Sequence, residues 1–106
     1  MLATLKKLKC LEAYVATDDD TLADSVLDKS LTKLLLREQM RMQHVIRRLR
    51  EDLEQFEERH QLVSQDFYER YHRGEMGDAM DFIEWAATVE MLAASEKRRA
   101  LLDTEQ

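Results

Sequence analysis

Proline is absent from this sequence of 106 residues, and glycine occurs only twice, at Gly74 and Gly77. Few positions therefore break a helix or require an unusual backbone angle. The common residues, which include leucine, glutamate, arginine, alanine and methionine, mostly favour helices. The composition predicts an all-α fold, and the length is that of one domain over residues 1–106.

Cysteine and long apolar runs are also scarce. The single cysteine, Cys10, cannot form a disulfide within the chain, which favours a reducing compartment such as the cytoplasm. Cys10 lies in an amphipathic stripe, so we interpret it as a small core residue. No apolar run approaches the roughly 20 residues of a membrane span, and the first residues lack the apolar core of a signal peptide. We therefore expect a cytoplasmic protein without a membrane partner.

Periodic apolar residues divide the chain into four predicted helices. They are an N-terminal helix at 1–17, a long helix at 19–60, a short connecting helix at 64–73 and a C-terminal helix at 78–102. Two apolar rows with a seven-residue spacing follow the long helix: Leu35, Met42, Leu49, Phe56 and Val63, and beside them Ile46, Leu53 and His60. Because such a stripe needs a partner helix, we expect the long and C-terminal helices to form an antiparallel hairpin.

Polar and glycine residues mark the expected helix boundaries. One aspartate of residues 18–20 is expected to cap the long helix, Ser64 the short helix and Asp78 the C-terminal helix. Their side-chain oxygens can accept the free amide hydrogens of a helix start. Gly74 is expected to end the short helix, and Gly77 permits the turn that follows.

Charge is distributed unevenly along a chain whose net charge is −6. Residues 37–50 contain five arginines and one glutamate, whereas residues 51–58 contain five acids and no basic residue. Residues 66–84, which we name the acidic turn end, contain six acids and two arginines, and three basic residues follow at 97–99. Solvated helix surfaces are the simpler explanation of these blocks, and binding surfaces of opposite sign are the functional one.

Two Glu-x-x-His pairs, Glu57 with His60 and Glu69 with His72, have the spacing of carboxylate-bridged di-metal sites. Nothing marks the two further carboxylates that such a site needs, although Glu84 and Glu90 are available. A carboxylate-histidine di-metal helical bundle is therefore an alternative only. The sequence has no glycine-rich phosphate loop and no serine elbow. We expect no enzymatic activity, no metal and no cofactor.

The segment from Gly74 to Trp85 is the most distinctive stretch, because it holds both glycines, the only tryptophan and four acids. A purely structural role would explain this composition. The glycines would form a turn, an aspartate would cap the next helix, and the aromatic residues would enter the core. Acid-rich loops also bind partners, with a tryptophan as a possible anchor. The candidate partner-binding residues are Gly74, Glu75, Gly77, Asp78, Asp81, Phe82, Glu84 and Trp85.

Basic residues supply a second candidate surface, made of Arg37, Arg41, Arg47, Arg48, Lys97, Arg98 and Arg99. Such residues contact phosphates, so a nucleic-acid-binding transcriptional regulator is an alternative function. The negative net charge and the lack of interleaved aromatic residues make this binding weak at most. Binding that ignores the salt concentration would exclude it.

Residues 24 to about 102 resemble the TumA-type antitoxins, a family of small helical proteins in bacterial and archaeal toxin-antitoxin modules. The most specific segments are Phe67-Tyr68, Gly74-Glu75-Met76-Gly77-Asp78, Asp81-Phe82 and Glu84-Trp85. Further matching segments are Leu27-Asp28-Lys29, Leu34-Leu35 and Leu53-Glu54-Gln55-Phe56-Glu57. The chain departs from the family at Gln61, where glycine is frequent, and at Ala79, where a second aspartate is frequent.

The resemblance implies a non-catalytic protein that binds and neutralises a cognate toxin protein. In such a role, the acidic turn end would cover a basic site on the toxin that faces nucleic acid. A homodimer is a further option, because small helical domains often bury additional surface by pairing.

Overall fold

The structure is a computed structural model that describes residues 1–17 and 24–103. Within these ranges the chain forms four helices and no strand, which confirms the all-α prediction. The helices are α1 (Leu2–Ala16), α2 (Asp24–His60), α3 (Ser64–His72) and α4 (Met80–Ala100). The predicted start of the long helix at residue 19, and its cap at 18–20, lie outside the described residues. No helix in the described ranges is both long enough and apolar enough to cross a membrane.

The antiparallel hairpin of α2 and α4 is confirmed by three contacts of α2 side chains, two with α4 and one with a residue just beyond it. Arg59 at the end of α2 pairs with Asp81 at the start of α4. Further back along α2, Arg50 pairs with Glu96 at 3.1 Å. The Gln39 amide then donates to the carbonyl oxygen of Leu102, just beyond α4, at 2.8 Å. Earlier positions in α2 thus contact later positions of the chain, so the two helices run in opposite directions.

The chain divides into two compact units, Met1–Lys33 and Leu34–Gln106. Whether residues 1–106 act as a single domain stays a prediction, and each unit is described by itself. In the first unit, every residue of α1 is at least partly exposed and none is buried. Cys10 is exposed. Its predicted core position is therefore wrong, because an apolar stripe shows which face is apolar and not what covers that face.

The hydrophobic core of the second unit lies where α2, α3 and α4 meet. Its buried side chains are Leu53 and Phe56 of α2, Phe67 of α3, and Trp85 and Ala86 of α4. Ile46 and Leu49 of the predicted apolar rows are also buried. Val63, the last member of one row, is exposed. The seven-residue period fails at Val63 because α2 has already ended and Val63 is the N-cap residue of α3.

Gln61 ends α2 in a left-handed backbone conformation, with φ at +50°. The amide of Leu62 donates to the carbonyl oxygen of Glu57, which is the long hydrogen bond of a Schellman motif. The side-chain amide of Gln61 donates to the carbonyl oxygen of Glu58 at 2.8 Å. Leu62 packs against the core. Gln61 thus occupies a position that usually favours glycine, and its own side chain satisfies one free carbonyl of the helix end.

Gly74 follows α3 in the same kind of motif, with φ at +76°. Arg73 is the C-cap residue, and the amides of Gly74 and Glu75 donate to the carbonyl oxygens of Tyr71 and Arg70. Gly77 has φ at +79°. Both glycines therefore serve the turn between α3 and α4 as predicted, since other residues adopt such angles only with strain.

The predicted N-caps are wrong for both α3 and α4. The N-cap residues are Val63 and Ala79, and neither makes a side-chain capping bond. Ser64 is already inside α3, and its amide donates to the Glu57 carboxylate at 2.8 Å. The α4 helix begins at Met80, two residues later than predicted, so Asp78 precedes the N-cap. A carboxylate from the end of α2 therefore satisfies a free amide of α3, which the local sequence pattern does not reveal.

Replacing Gln61 tests the backbone strain at the end of α2. We expect Gln61→Gly to be more stable than Gln61→Ala by about 1 kcal/mol, because alanine keeps the left-handed strain and glycine removes it. Both variants lose the side-chain bond to Glu58, so their comparison isolates the backbone angle. Urea unfolding of the two variants measures the difference. An alanine variant as stable as the glycine variant would contradict the assignment of strain.

Candidate functional site

The centre of the candidate site is a stack of two aromatic rings. The rings of Phe67 and Trp85 are parallel within 2°, with their centroids 3.8 Å apart. Phe56 of α2 stacks on Trp85 from a centroid distance of 5.7 Å. Phe67 and Trp85 both have 0% of their surface exposed. The stack therefore joins all three helices of the second unit.

Ser64 fixes the orientation of the tryptophan. The indole Nε1–H of Trp85 donates to the hydroxyl oxygen of Ser64 at 2.9 Å, and this contact is buried. A buried indole N–H needs such a partner, because an unsatisfied donor is costly away from water. Trp85 is thus a satisfied core residue and is not presented to a partner. Its predicted role as a binding anchor is corrected on this ground.

Asp81 joins the start of α4 to the end of α2. Its two carboxylate oxygens accept hydrogen bonds from Nη1 of Arg59 at 2.7 and 2.8 Å. One of them also contacts Nε2 of His60, whose ring stacks on Trp85. The His60 hydrogen bond, and after it the Arg59 hydrogen bond, lower the pKa of Asp81 below its ordinary value. The carboxylate of Asp81 is therefore engaged within the chain.

The other candidate residues of the turn differ in how accessible they are. Phe82 is half-buried and contacts Phe67, at a centroid distance of 5.7 Å. Glu75 pairs with Arg73 at 2.9 Å, and both side chains are more than half exposed. Asp78 and Glu84 are exposed, and neither carboxylate makes an ion pair within the described part of the chain. Glu75, Asp78 and Glu84 are thus the acids of this turn that a partner can reach.

Neither of the two Glu-x-x-His pairs forms part of a metal-binding group. Among residues 1–17 and 24–103, no three His, Cys, Asp or Glu side chains gather in a way that could hold a metal ion. Glu57 accepts from the Ser64 amide, and His60 contacts Asp81. His72 lies edge-on to Tyr68. The residues proposed for the di-metal alternative are therefore not brought together.

The basic residues lie at the opposite end of the hairpin, as the antiparallel arrangement requires. Arg99 lines a shallow groove with Gln39 and Gln43, so residues 97–99 lie beside the arginine-rich part of α2. The candidate nucleic-acid-binding residues Arg37, Arg41, Arg47, Arg48, Lys97, Arg98 and Arg99 are all exposed. Arg41 also pairs with Glu38 within its own helix at 3.4 Å. These residues form a basic end, and the segment 37–50 that carries its α2 arginines contains no phenylalanine, tyrosine or tryptophan.

Sequence reasoning missed the residues that hold the turn end together across long stretches of chain. Ser64 and Trp85 are 21 positions apart, as are His60 and Asp81. Tyr68 and Glu90 are a further pair of residues far apart in the sequence: burial, and after it the Glu90 carboxylate, raise the pKa of Tyr68. Only a tertiary arrangement joins such pairs.

Comparisons of the chain with protein-family models, with curated proteins and with solved structures gave no match.

Acid titration tests the engagement of Asp81. Because the folded pKa of Asp81 lies below the ordinary value of 3.8, its contacts contribute stability above that pH. This contribution is lost as the pH falls through the folded pKa. We expect Asp81→Asn to lower the free energy of unfolding at neutral pH, and the gap to wild type to shrink below pH 3.8. Urea unfolding at several pH values measures the gap.

The control for this titration is Asp78→Asn, which removes an exposed carboxylate without an ion pair in the described chain. Its unfolding free energy should stay within about 0.5 kcal/mol of wild type. The difference in unfolding free energy between Asp81→Asn and wild type could also stay the same in acid. That result would show that the carboxylate charge is not what stabilises the turn end.

Proposed function

We propose that this chain is a non-catalytic, antitoxin-like binding protein whose acidic turn end binds a basic surface of a cognate toxin protein. The observation that carries the proposal is the accessible pair of acids, Glu75 and Asp78, in the turn between α3 and α4. The toxin as partner rests on the sequence resemblance, and the geometry supports it by supplying a surface of suitable charge. The role requires no catalytic group in this chain.

Both acids can bind a partner at little cost in folding free energy. Asp78 is exposed and has no ion pair in the described chain. Within the described residues the ion pair of Glu75 is with Arg73, and their side chains are 53% and 62% exposed. Ion pairs this exposed contribute little to stability, typically about 0–1 kcal/mol. An arginine or lysine of a partner can therefore replace Arg73 without a large loss of folding free energy.

The turn that carries these acids is held in place before any partner arrives. Gly74 and Gly77 adopt the left-handed backbone angles that the turn requires, and Met76 between them packs against the core. The contacts of Asp81 hold the start of α4. A preorganised binding segment loses less conformational entropy on binding than a mobile one. Opposite charges then speed the encounter and favour the correct partner.

A double substitution at the turn tests the proposal. We expect Glu75→Gln combined with Asp78→Asn to weaken binding to the protein encoded by the neighbouring gene by about tenfold, as two charged contacts of roughly 0.7 kcal/mol each would do. The matched control is Asp52→Asn combined with Glu54→Gln, which removes the same charge from exposed positions on α2. Calorimetry on the purified proteins and relief of growth arrest on co-expression are the two readouts.

The outcomes separate a specific surface from general charge. Weaker binding only for the turn variant supports the proposal. Equal loss for both double variants would show that net charge alone attracts the partner. If the wild-type chain neither binds the neighbouring gene product nor relieves its toxicity, the antitoxin proposal is wrong.

A further inference from the structure

The α4 helix has a second apolar face, on the side away from the core. Its inner face carries the buried residues Trp85, Ala86 and Thr88. About half a turn away lie residues that are all exposed: Met80, Ile83, Ala87, Met91, Ala94 and Leu101. Met80 is 69% exposed, Met91 51% and Leu101 84%. Lys97 and Arg98 interrupt this exposed apolar row only between Ala94 and Leu101, and exposed apolar surface rimmed by charged residues is typical of interaction sites.

The spacing of this outer face matches the period of paired helices. Met80, Ala87, Ala94 and Leu101 follow one another at seven-residue intervals, with Ile83 and Met91 beside them. A seven-residue apolar repeat is the pattern that keeps one helix in contact with another along its length. The two alanines in the middle of the row leave room for close approach of a second backbone. The occupant that this row fits is therefore another helix.

The charges on this face indicate which helix it is. Glu84 and Arg98 are fourteen residues apart, about four turns, and so lie on the same flank of the row. Neither side chain makes an ion pair within the described chain. Met91 lies midway between them. If two copies of α4 meet antiparallel with Met91 at the centre, Glu84 of each lies opposite Arg98 of the other.

The same arrangement matches the apolar residues. Because Met80 and Leu101 are nearly equidistant from Met91, each lies opposite the other across the pair. Ala87 likewise lies opposite Ala94, which brings the small residues together. A parallel pairing would instead place Glu84 beside Glu84 and Arg98 beside Arg98. Glu90, on the other flank, interacts with Tyr68 of its own chain.

We propose that the outer face of α4 binds the outer face of α4 in a second copy of this chain, antiparallel and centred on Met91. The interface is a two-fold one, in which the same residues of both copies contact each other. This proposal does not depend on the proposed function. It assigns Glu84 to the second copy, so the toxin-binding test above leaves Glu84 unchanged.

Placing a charge at the centre of the pair tests the interface. In Met91→Glu two carboxylates would face each other on the two-fold axis, and we expect dimerisation at least tenfold weaker than in wild type. Sedimentation equilibrium over a range of protein concentrations measures the constant. Met40→Glu is the control, because Met40 is an equally accessible methionine, 62% exposed, on α2. Circular dichroism of both variants checks that the helices are retained.

A charge exchange tests the pairing of Glu84 with Arg98. Glu84→Arg and Arg98→Glu should each weaken the dimer, and their combination in one chain should restore it. A merely structural effect of either substitution on α4 would not be rescued by the other. Failure of the combined variant to recover would overturn the proposed register.

Cysteine pairs test the direction of the two helices. In a Cys10→Ser background, chains with Ala87→Cys and chains with Ala94→Cys are mixed and oxidised. We expect mixed disulfides between positions 87 and 94 to exceed those between like positions, which a parallel pair would form. A wild-type chain that stays monomeric throughout, or a dimer disrupted by Met40→Glu but not by Met91→Glu, would overturn the proposal.

Discussion

The stack of Phe67 on Trp85, fixed by the hydrogen bond from Trp85 to Ser64, is the interaction on which the second unit depends. The core is small, and these two side chains are its largest fully buried members. Burying one such side chain contributes roughly 1.5–3 kcal/mol, a large part of the net stability of a small domain. Phe56 and Leu53 bring α2 against the same stack. The direction of the hairpin and the position of its turn follow from this packing.

The contacts around Asp81 act on geometry more than on stability. Arg59 and His60 are partly exposed, so their pairs with Asp81 contribute a modest but measurable net free energy. Their effect is to hold the first turn of α4 against the last turn of α2. With Gly74 and Gly77 in left-handed conformations, the segment between α3 and α4 has a defined shape. The proposed binding of a basic partner uses this shape together with the exposed acids.

The periodic features of the sequence predicted the helices and the hairpin, because an apolar stripe repeats locally along the chain. Leu49, Leu53 and Phe56 were placed correctly in the core for this reason. The predicted cap of α3 failed because the Glu57 carboxylate, from the preceding helix, accepts a free amide hydrogen of α3, a role that the Ser64 hydroxyl was expected to have. Trp85 was proposed as an anchor since its indole partner, Ser64, is far away in sequence. Periodicity also does not reveal whether another part of the chain packs on an apolar helix face. Cys10 and the outer face of α4 are apolar by pattern, and both are exposed.

The proposed surfaces and the core occupy separate parts of the second unit. Trp85 belongs to the core, whereas Glu75 and Asp78 belong to the turn and Met91 to the outer face of α4. Because Trp85 is the only tryptophan, its fluorescence tests this separation directly. Acrylamide quenching of the folded, unbound chain should be weak, with blue-shifted emission that moves to the red on unfolding in urea. Strong quenching and red emission from the folded chain would place Trp85 at the surface and contradict the account.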